Sequence, residues 1–165
     1  MIKKLKHYSK EVIFFIIFIT IFTNIISFYK STDLNKETLQ KISTKLIDNS
    51  HYTTPENKPL LVHIWASWCP TCKLEASNIQ RLSENYDVIT IAVSSGNDYE
   101  ISQYMKENSF NFKVINDTDG LYAKKFKVAA YPTTFIYDKE RNLVFSEVGY
   151  TSSLGLYLRM LLADL

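Results

Sequence analysis

The chain has 165 residues, a formal net charge of +2 at pH 7 and only two cysteines. Once an apolar leader is set aside, this length leaves room for one domain of ordinary size, which can bury a single core without several disulfides. The small net charge and the wide separation of the arginines predict that nucleic acid is not a partner.

The N-terminal stretch has the pattern of a membrane-targeting segment. Four lysines precede an apolar run from Val12 to Tyr29, whose length is close to the lower limit of ~17 residues for a spanning helix. A signal-peptide core is shorter, about 7–15 residues, and no small-residue cleavage site follows the run. We predict a basic cytoplasmic leader over residues 1–11 and an uncleaved transmembrane signal anchor over residues 12–29. A cleaved signal peptide and a buried core helix are the alternatives.

Residues 30–57 are predicted to form a linker or juxtamembrane segment between membrane and domain. A turn-rich stretch from Thr53 to Pro59 then marks the start of a compact domain over residues 58–165. The apolar side chains of the linker have an irregular helical spacing, which is too weak a pattern to assign a helix. They are Leu34, Leu39, Ile42, Leu46 and Ile47.

The strongest chemical signal lies between Leu60 and Lys73. The segment opens with a short apolar run, typical of a strand buried on both faces, and helical spacing follows it to about Tyr86. Cys69 and Cys72 therefore fall at a strand-to-helix junction, with Cys69 at the helix N-terminus. Unpaired N–H groups and the helix dipole stabilise a thiolate there, so Cys69 is the predicted nucleophile. Cys72 is close enough to resolve the resulting mixed disulfide.

The residues between the cysteines are predicted to tune the redox potential. Pro70 suits the first helical turn because no N–H is needed there, and Thr71 offers a hydroxyl near the sulfurs. Half of a zinc site is the other interpretation of C-x-x-C. It needs two further cysteine or histidine ligands, but no third cysteine exists and the three histidines are scattered. We predict no metal and no cofactor.

The rest of the domain predicts strands that alternate with helices, which favours βαβ units and a parallel sheet. Two of the later strands, on either side of a polar turn, predict a hairpin, and a final helix closes the fold. The predicted elements are a strand over Val88–Ser95, a helix over Asp98–Asn108, a strand over Phe112–Ile115, a helical turn over Leu121–Phe126, strands over Thr133–Tyr137 and Leu143–Glu147, and a helix over Ser152–Leu162.

With WASWCPTC as an active-site signature, the sequence resembles thioredoxin-fold proteins. The resemblance continues through VINDTDG, AAYPTTFIYD and GYTSSLGLYLRMLL and follows the membrane-anchored TlpA/ScsD-like branch of thiol:disulfide oxidoreductases. It implies an α/β thioredoxin-like fold, with a central mixed β-sheet flanked by helices and preceded by one transmembrane helix. It also implies an enzyme that exchanges disulfides with protein substrates, in the reducing or the oxidising direction.

The same resemblance implies a location and partners. The domain is expected on the periplasmic, extracytoplasmic side of the inner (cytoplasmic) membrane, as the leader pattern also suggests. Protein thiols and disulfides are the expected substrates, and a membrane protein is the expected electron-transfer partner.

The resemblance further assigns a substrate groove. In thioredoxin folds the proline at the place of Pro132 is cis and faces the C-x-x-C, which leaves the preceding backbone free to pair with an extended substrate. This implies that Tyr131 contacts substrate and that Pro132 shapes the groove. Without the resemblance, a proline entering a strand indicates an edge or a turn. Trp68, beside Cys69, is predicted to cover the site and contact the partner, whereas Trp65 is predicted to lie in the core.

His63 departs from the thioredoxin pattern, which has a buried acid six residues before the first cysteine. That acid helps to move the proton of the second cysteine. Two interpretations of His63 stay open: a hydrogen-bonded core residue, or a group that takes part in proton transfer near Cys72.

Two further functions also stay open. The CPTC form is similar to that of reductases serving cytochrome c maturation. The association of ScsD-like proteins with copper tolerance suggests a dithiol that binds Cu(I), although two thiolates without a methionine or histidine cluster make a poor dedicated metal site.

Overall fold

The computed structural model describes residues 10–15, 17–19, 21–22, 25, 34 and 37–165. The described residues between 10 and 25 are helical. Within the described ranges, no helix combines the length and the apolar character needed to cross a membrane. Most of the predicted leader over 1–11 and part of the predicted anchor over 12–29 lie outside the described residues.

The domain is built on seven strands and four helices in the described part of the chain. The strands are β1 (Ser43–Lys45), β2 (His51–Thr53), β3 (Leu60–Trp65), β4 (Asp87–Val93), β5 (Lys113–Asp117), β6 (Thr133–Tyr137) and β7 (Leu143–Val148). The helices are α1 (Pro70–Ser83), α2 (Asp98–Glu107), α3 (Leu121–Lys125) and α4 (Ser153–Ala163). The elements predicted for the domain are all present, each within three residues of its predicted ends.

A five-stranded mixed sheet forms the centre, in the order β5-β4-β3-β6-β7. β3, β4 and β5 run parallel to one another, and β6 and β7 are antiparallel to their neighbours. With helices on both faces, this is the predicted thioredoxin-like α/β arrangement. Because β3, β4 and β5 are parallel, their C-terminal ends lie side by side at one end of the sheet. The loops that follow these three strands meet there.

The central strand β3 is buried on both faces, as its apolar run predicts. Leu61 and Trp65 enter the hydrophobic cluster that α1, α2 and α4 complete, whereas Leu60 and Ile64 enter the cluster on the opposite face. The second cluster is completed by α3 and by residues that precede β3.

Part of the predicted linker packs against this second face. β1 and β2 pair as an antiparallel hairpin, and Leu39, Ile42, Leu46 and Tyr52 are buried with the core of the sheet. In the structure, packed side chains therefore lie on both sides of the domain boundary predicted at residue 58.

Arg141, in the turn between β6 and β7, fastens this N-terminal segment to the sheet. Its carbonyl accepts a hydrogen bond from the Leu39 N–H at 2.9 Å. Its guanidinium donates to the carbonyl of Lys58 at 2.9 Å and to that of Pro55. The segment before β3 is thus held at the end of the sheet where β3 begins.

Candidate redox site

The two cysteines stand where β3 gives way to α1. Cys69 is the N-cap residue of α1, and Pro70 occupies the first turn, where its missing N–H leaves no donor unsatisfied. The backbone N–H of Cys72 donates to the Sγ of Cys69 at 3.2 Å. The sulfur of Cys69 therefore receives a hydrogen bond and the positive end of the helix dipole, two interactions that favour negative charge.

The two thiols differ in their surroundings. Both are free, but Cys69 keeps 6% of its surface exposed and Cys72 only 1%. Burial raises the pKa of the Cys72 thiol, and the neighbouring sulfur of Cys69 and the charge of Glu75 raise it further. Cys72 therefore stays protonated until a nearby group accepts its proton.

The predicted groove residues lie against Cys69. The Tyr131–Pro132 peptide bond is cis, and the Sγ of Cys69 donates to the Tyr131 carbonyl at 3.6 Å. The Pro132 carbonyl accepts a hydrogen bond from the Gly149 N–H at 2.8 Å, just outside the end of the β6–β7 pair. The structure thus brings Tyr131 and Pro132 to the first cysteine, although more than sixty residues separate them in sequence.

Trp68 is a large aromatic side chain that stays 59% exposed beside Cys69. Its indole N–H donates to the Ser94 carbonyl at 3.1 Å, and its ring meets that of Tyr131 edge to face, with centroids 5.7 Å apart. The ring is thus fixed on one side and open on the other, as a partner contact requires. Trp65 is buried in the core, as predicted.

The two predicted tuning positions between the cysteines have different environments. Pro70 is exposed, whereas Thr71 is half-buried at the first turn of α1. Both lie on the helix turn that carries Cys69 and Cys72, so both can alter the surroundings of the sulfurs.

His63 lies in the middle of β3 and is almost fully buried. Its Nδ1 is 2.9 Å from the Oγ1 of Thr134 on the adjacent strand β6. Burial lowers the pKa of His63 to about 3, so the ring is neutral at ordinary pH. This hydrogen bond across two strands fits the core interpretation of His63.

Glu75 is a candidate site residue that the sequence motifs do not single out. It is fully buried on α1, one helical turn after Cys72 and on the same face. Its Oε1 accepts from the Thr151 N–H at 3.2 Å, while its Oε2 has no hydrogen-bond partner among the described residues. The available signal was a charged residue at an inward position of the helix.

The surroundings of Glu75 raise the pKa of its carboxyl group toward neutral pH. Burial raises its pKa to about 8; the Thr151 N–H opposes this shift, and the charge of Glu147 adds to it. A carboxyl group with a pKa near neutrality can take or give a proton under physiological conditions. A buried thiol and a buried carboxyl group whose pKa lies near neutrality thus lie on one face of α1.

No group of three or more histidine, cysteine, aspartate or glutamate side chains is placed to hold a metal ion within the described part of the chain. The described site contains a dithiol, a buried carboxyl group and a groove beside the first cysteine.

The sequence matches a known family over most of its length. Residues 32–146 match the model of the AhpC/TSA family. The chain belongs to this family. The match begins upstream of residue 58, in agreement with the packing of the β1–β2 hairpin.

Individual relatives of this AhpC/TSA chain carry thioredoxin-like or thiol-disulfide names. It is 30% identical over 155 residues to a thioredoxin-like protein of Haemophilus influenzae, covering 91% of this chain and 90% of that protein. It is 24% identical over 113 residues to sporulation thiol-disulfide oxidoreductase A of Bacillus subtilis, covering 64% and 68%. The fold is similar to that of a secreted thiol-disulfide isomerase from Corynebacterium glutamicum, with a TM-score of 0.68, 18% identity and coverage of 76% and 84%. The protein is a protein thiol:disulfide oxidoreductase with a thioredoxin-like fold, as the sequence predicts.

Proposed function

We propose that this protein is a membrane-tethered, extracytoplasmic oxidoreductase of the TlpA/ScsD-like kind, which exchanges disulfides with protein substrates through Cys69 and Cys72. The observation that carries the proposal is the position of Cys69. Its sulfur caps α1, receives the Cys72 N–H at 3.2 Å and lies 3.6 Å from the Tyr131 carbonyl. It is therefore both activated and placed beside a groove.

The reaction proceeds in two exchanges. The Cys69 sulfur attacks a substrate disulfide, which forms a Cys69–substrate bond and expels one substrate sulfur as a thiolate. Cys72 then loses its proton and attacks the Sγ of Cys69, which closes the Cys69–Cys72 disulfide and expels the second substrate sulfur. Two electrons pass from the enzyme dithiol to the substrate, and the reverse sequence oxidises a substrate dithiol.

Glu75 is the proposed acceptor of the Cys72 proton. It lies one turn from Cys72, and its Oε2 has no competing hydrogen bond from any residue that the structure describes. With a pKa of about 8, it exists in both protonation states near neutral pH. The ionised form takes the proton, and the protonated form returns it in the reverse direction.

Tyr131, Pro132 and Trp68 are the proposed substrate groove. An extended substrate segment would pair with the backbone at Tyr131, while the exposed face of Trp68 packs against its side chains. The carbonyl of Tyr131 lies 3.6 Å from the Cys69 sulfur, so a substrate bound there is held at the attacking atom.

The proposed tether is the apolar run over residues 12–29, kept in the mature protein with the domain outside the cytoplasm. The order of a basic leader followed by an apolar run supports it. In such a space disulfides persist, and a membrane electron-transfer partner would restore the dithiol or the disulfide after each turnover.

The redox roles are tested by trapping. Cys72→Ser should accumulate mixed disulfides on Cys69, visible as adducts on non-reducing gels, because the second exchange is blocked. Cys69→Ser is the matched control and should form no adduct and reduce no insulin. If the adducts appear with Cys69→Ser and not with Cys72→Ser, the two roles are reversed. A copper(I) titration tests the alternative function, a dithiol that binds Cu(I). Tight copper binding without insulin reduction would favour that function over disulfide exchange.

The tether is tested by membrane fractionation followed by N-terminal sequencing. We expect the full chain in the membrane fraction. A soluble form that begins downstream of Ser27 would show a cleaved signal peptide, and the tether would be abandoned while the redox proposal stood.

A further inference from the structure

Asn78 is a buried amide side chain close to the redox site. It lies on α1 three residues after Glu75, which itself lies three residues after Cys72, and all three are buried. Residues at this spacing share one face of a helix. A thiol, a carboxyl group and an amide therefore line the same buried face of α1.

The amide of Asn78 fastens the loop between β7 and α4, residues 149–152, to α1. Its Nδ2 donates to the Thr151 carbonyl at 3.0 Å and to the Tyr150 hydroxyl at 3.2 Å. Its Oδ1 accepts from the Ser153 hydroxyl at 2.7 Å, at the start of α4. Both polar atoms of the amide are thus used to hold the β7–α4 loop in one place.

The same loop supplies Glu75 with a hydrogen bond. The Thr151 N–H donates to the Oε1 of Glu75 at 3.2 Å, and no other donor among the described residues bonds to this carboxyl group. The two polar backbone groups of Thr151 therefore both bind α1, the N–H at Glu75 and the carbonyl at Asn78. Because one residue makes both contacts, a shift of Thr151 away from Asn78 also moves it away from Glu75.

The two ends of the β7–α4 loop are held independently of Asn78. At one end the Gly149 N–H donates to the Pro132 carbonyl at 2.8 Å. At the other end Ser152 caps α4, where its side chain accepts from the Gly155 N–H at 3.2 Å. Loss of the Asn78 amide should therefore loosen the middle of the loop while its ends stay attached.

The charged and titratable groups around Glu75 come from several elements. They are Cys69 and Cys72 at the start of α1, His63 on β3, Glu147 on β7, Tyr150 in the loop and Arg159 on α4. Arg159 pairs with Glu147 at 2.7 Å. Burial and the charge of Glu147 both favour the neutral form of Glu75, whereas the loop N–H favours the ionised form, which is the form that accepts a proton.

We propose that Asn78 is a positioning residue for disulfide resolution, which holds the Thr151 N–H on Glu75 and so fixes the carboxyl group that takes the Cys72 proton. This role rests on the proposed transfer of that proton to Glu75. The proton passes from the Cys72 sulfur to a Glu75 oxygen, and Asn78 neither gains nor loses one.

The rates of the two exchanges, measured by rapid chemical quench on the full chain, test this role. Asn78→Ala should slow resolution by Cys72 by about 10- to 100-fold, because small misplacements at a reacting centre cost rates of this order. The first attack by Cys69 should keep its wild-type rate. Gln80→Ala is the matched control and should leave both rates unchanged, because Gln80 is an amide on the same helix that fastens a different loop, through Asn111 at 2.7 and 2.8 Å.

A double-mutant cycle separates positioning from a general loss of structure. If Asn78 acts through Glu75, adding Asn78→Ala to Glu75→Gln should slow resolution by less than about twofold further, because the glutamine accepts no proton wherever it is held. In Asn78→Ala alone, the rise of the resolution rate with pH should move to higher pH, because the carboxylate has lost the N–H that favours it.

A second variant covers the case in which Asn78→Ala does not fold. Ser153→Ala removes one of the three bonds of the amide and should give a smaller slowing with the same split between the two exchanges.

The role of Asn78 is overturned if Asn78→Ala resolves at the wild-type rate, or if it slows the first exchange as much as the second. It is also overturned if Asn78→Ala and Glu75→Gln slow resolution by independent factors, or if the pH profile of Asn78→Ala coincides with that of the wild type. In each of these cases adducts trapped by Cys72→Ser would still support the redox function. Absence of those adducts would instead overturn the proposed function itself.

Discussion

Two buried titratable side chains on the same side of the sheet have opposite surroundings. His63, between Leu61 and Trp65 on β3, has a partner on the next strand, since its Nδ1 lies 2.9 Å from Thr134. Glu75, on α1, has one oxygen bonded to a backbone N–H and the other without a partner among the residues described. A buried polar group with its own partner strengthens the fold, whereas one with an open lone pair beside a buried thiol is available for chemistry.

The electrostatic consequences also differ in sign. Burial lowers the pKa of His63 to about 3 and raises that of Glu75 to about 8, so both are mainly neutral in the folded protein at pH 7. In the unfolded chain, His63 gains a proton below about pH 6.5, whereas Glu75 loses one above about pH 4.5. The contribution of His63 to the free energy of unfolding therefore falls as the pH drops below about 6.5. That of Glu75 falls as the pH rises above about 4.5.

The largest expected effect is on the second exchange. Glu75→Gln keeps the size of the side chain and an oxygen for the Thr151 N–H, but it cannot accept a proton. Resolution of the mixed disulfide by Cys72 should slow by about 10²- to 10⁴-fold, the usual contribution of a general base. Rapid chemical quench would detect the accumulated intermediate.

The pH profile distinguishes this role from a structural one. The wild-type rate of resolution should rise with pH up to about 8 as Glu75 ionises, and Glu75→Gln should lack that rise. A variant that resolves at the wild-type rate across this range would remove Glu75 from the proton path.

The next effect is on stability. Between pH 4.5 and 8 the folded protein holds a proton on Glu75 that the unfolded chain releases, so wild-type stability falls as pH rises. The stability of Glu75→Gln relative to wild type should therefore increase by about 2–3 kcal/mol from pH 5 to pH 7. Urea unfolding at the two pH values measures it, and a constant difference would contradict the raised pKa.

His63→Gln should show the reverse dependence. Between pH 6.5 and about 3 the unfolded chain binds a proton that the folded protein excludes, so the wild type loses about 2 kcal/mol from pH 6.5 to pH 5. The variant should lose none of this, as urea unfolding at both pH values would show. If His63→Gln instead slowed resolution as much as Glu75→Gln, the contrast between the two residues would fail.

The smallest effect is expected at the partner of His63. Thr134 is buried, and Thr134→Val removes its hydroxyl while keeping its shape. The free energy of unfolding at pH 7 should fall by about 1–2 kcal/mol, because the ring loses its hydrogen bond. Thr134→Ser retains the hydroxyl and serves as the control. Equal stability of the valine and wild-type proteins would show that the bond contributes little.

The sequence predicts the redox junction because its signals are local. The apolar run of β3, the C-x-x-C spacing and the helical period after Cys72 lie within one short stretch. They require no knowledge of distant residues. The position of Cys69 at the N-cap of α1 follows from that stretch alone.

Glu75 and the segment before β3 depend on residues far away in the chain. In the sequence, Glu75 resembles any charged residue on a helix surface. It is buried only because the loop at Thr151 packs over it in the folded chain. The β1–β2 hairpin is held by its packing on the sheet and by Arg141, neither of which appears in its own periodicity. The family pattern pointed to position 63 by its distance from Cys69, whereas in the folded chain the buried acid is Glu75 on α1.

The hydrogen bonds of Arg141 to the segment before β3 lie far from the redox site. Arg141, Leu39 and Lys58 meet at the end of the sheet where β3 begins, and Cys69 lies beyond its other end. Six residues of strand separate the two ends by roughly 20 Å. In the proposed tethered form, the segment that follows the tether is thus fastened at the end of β3 opposite to the redox site.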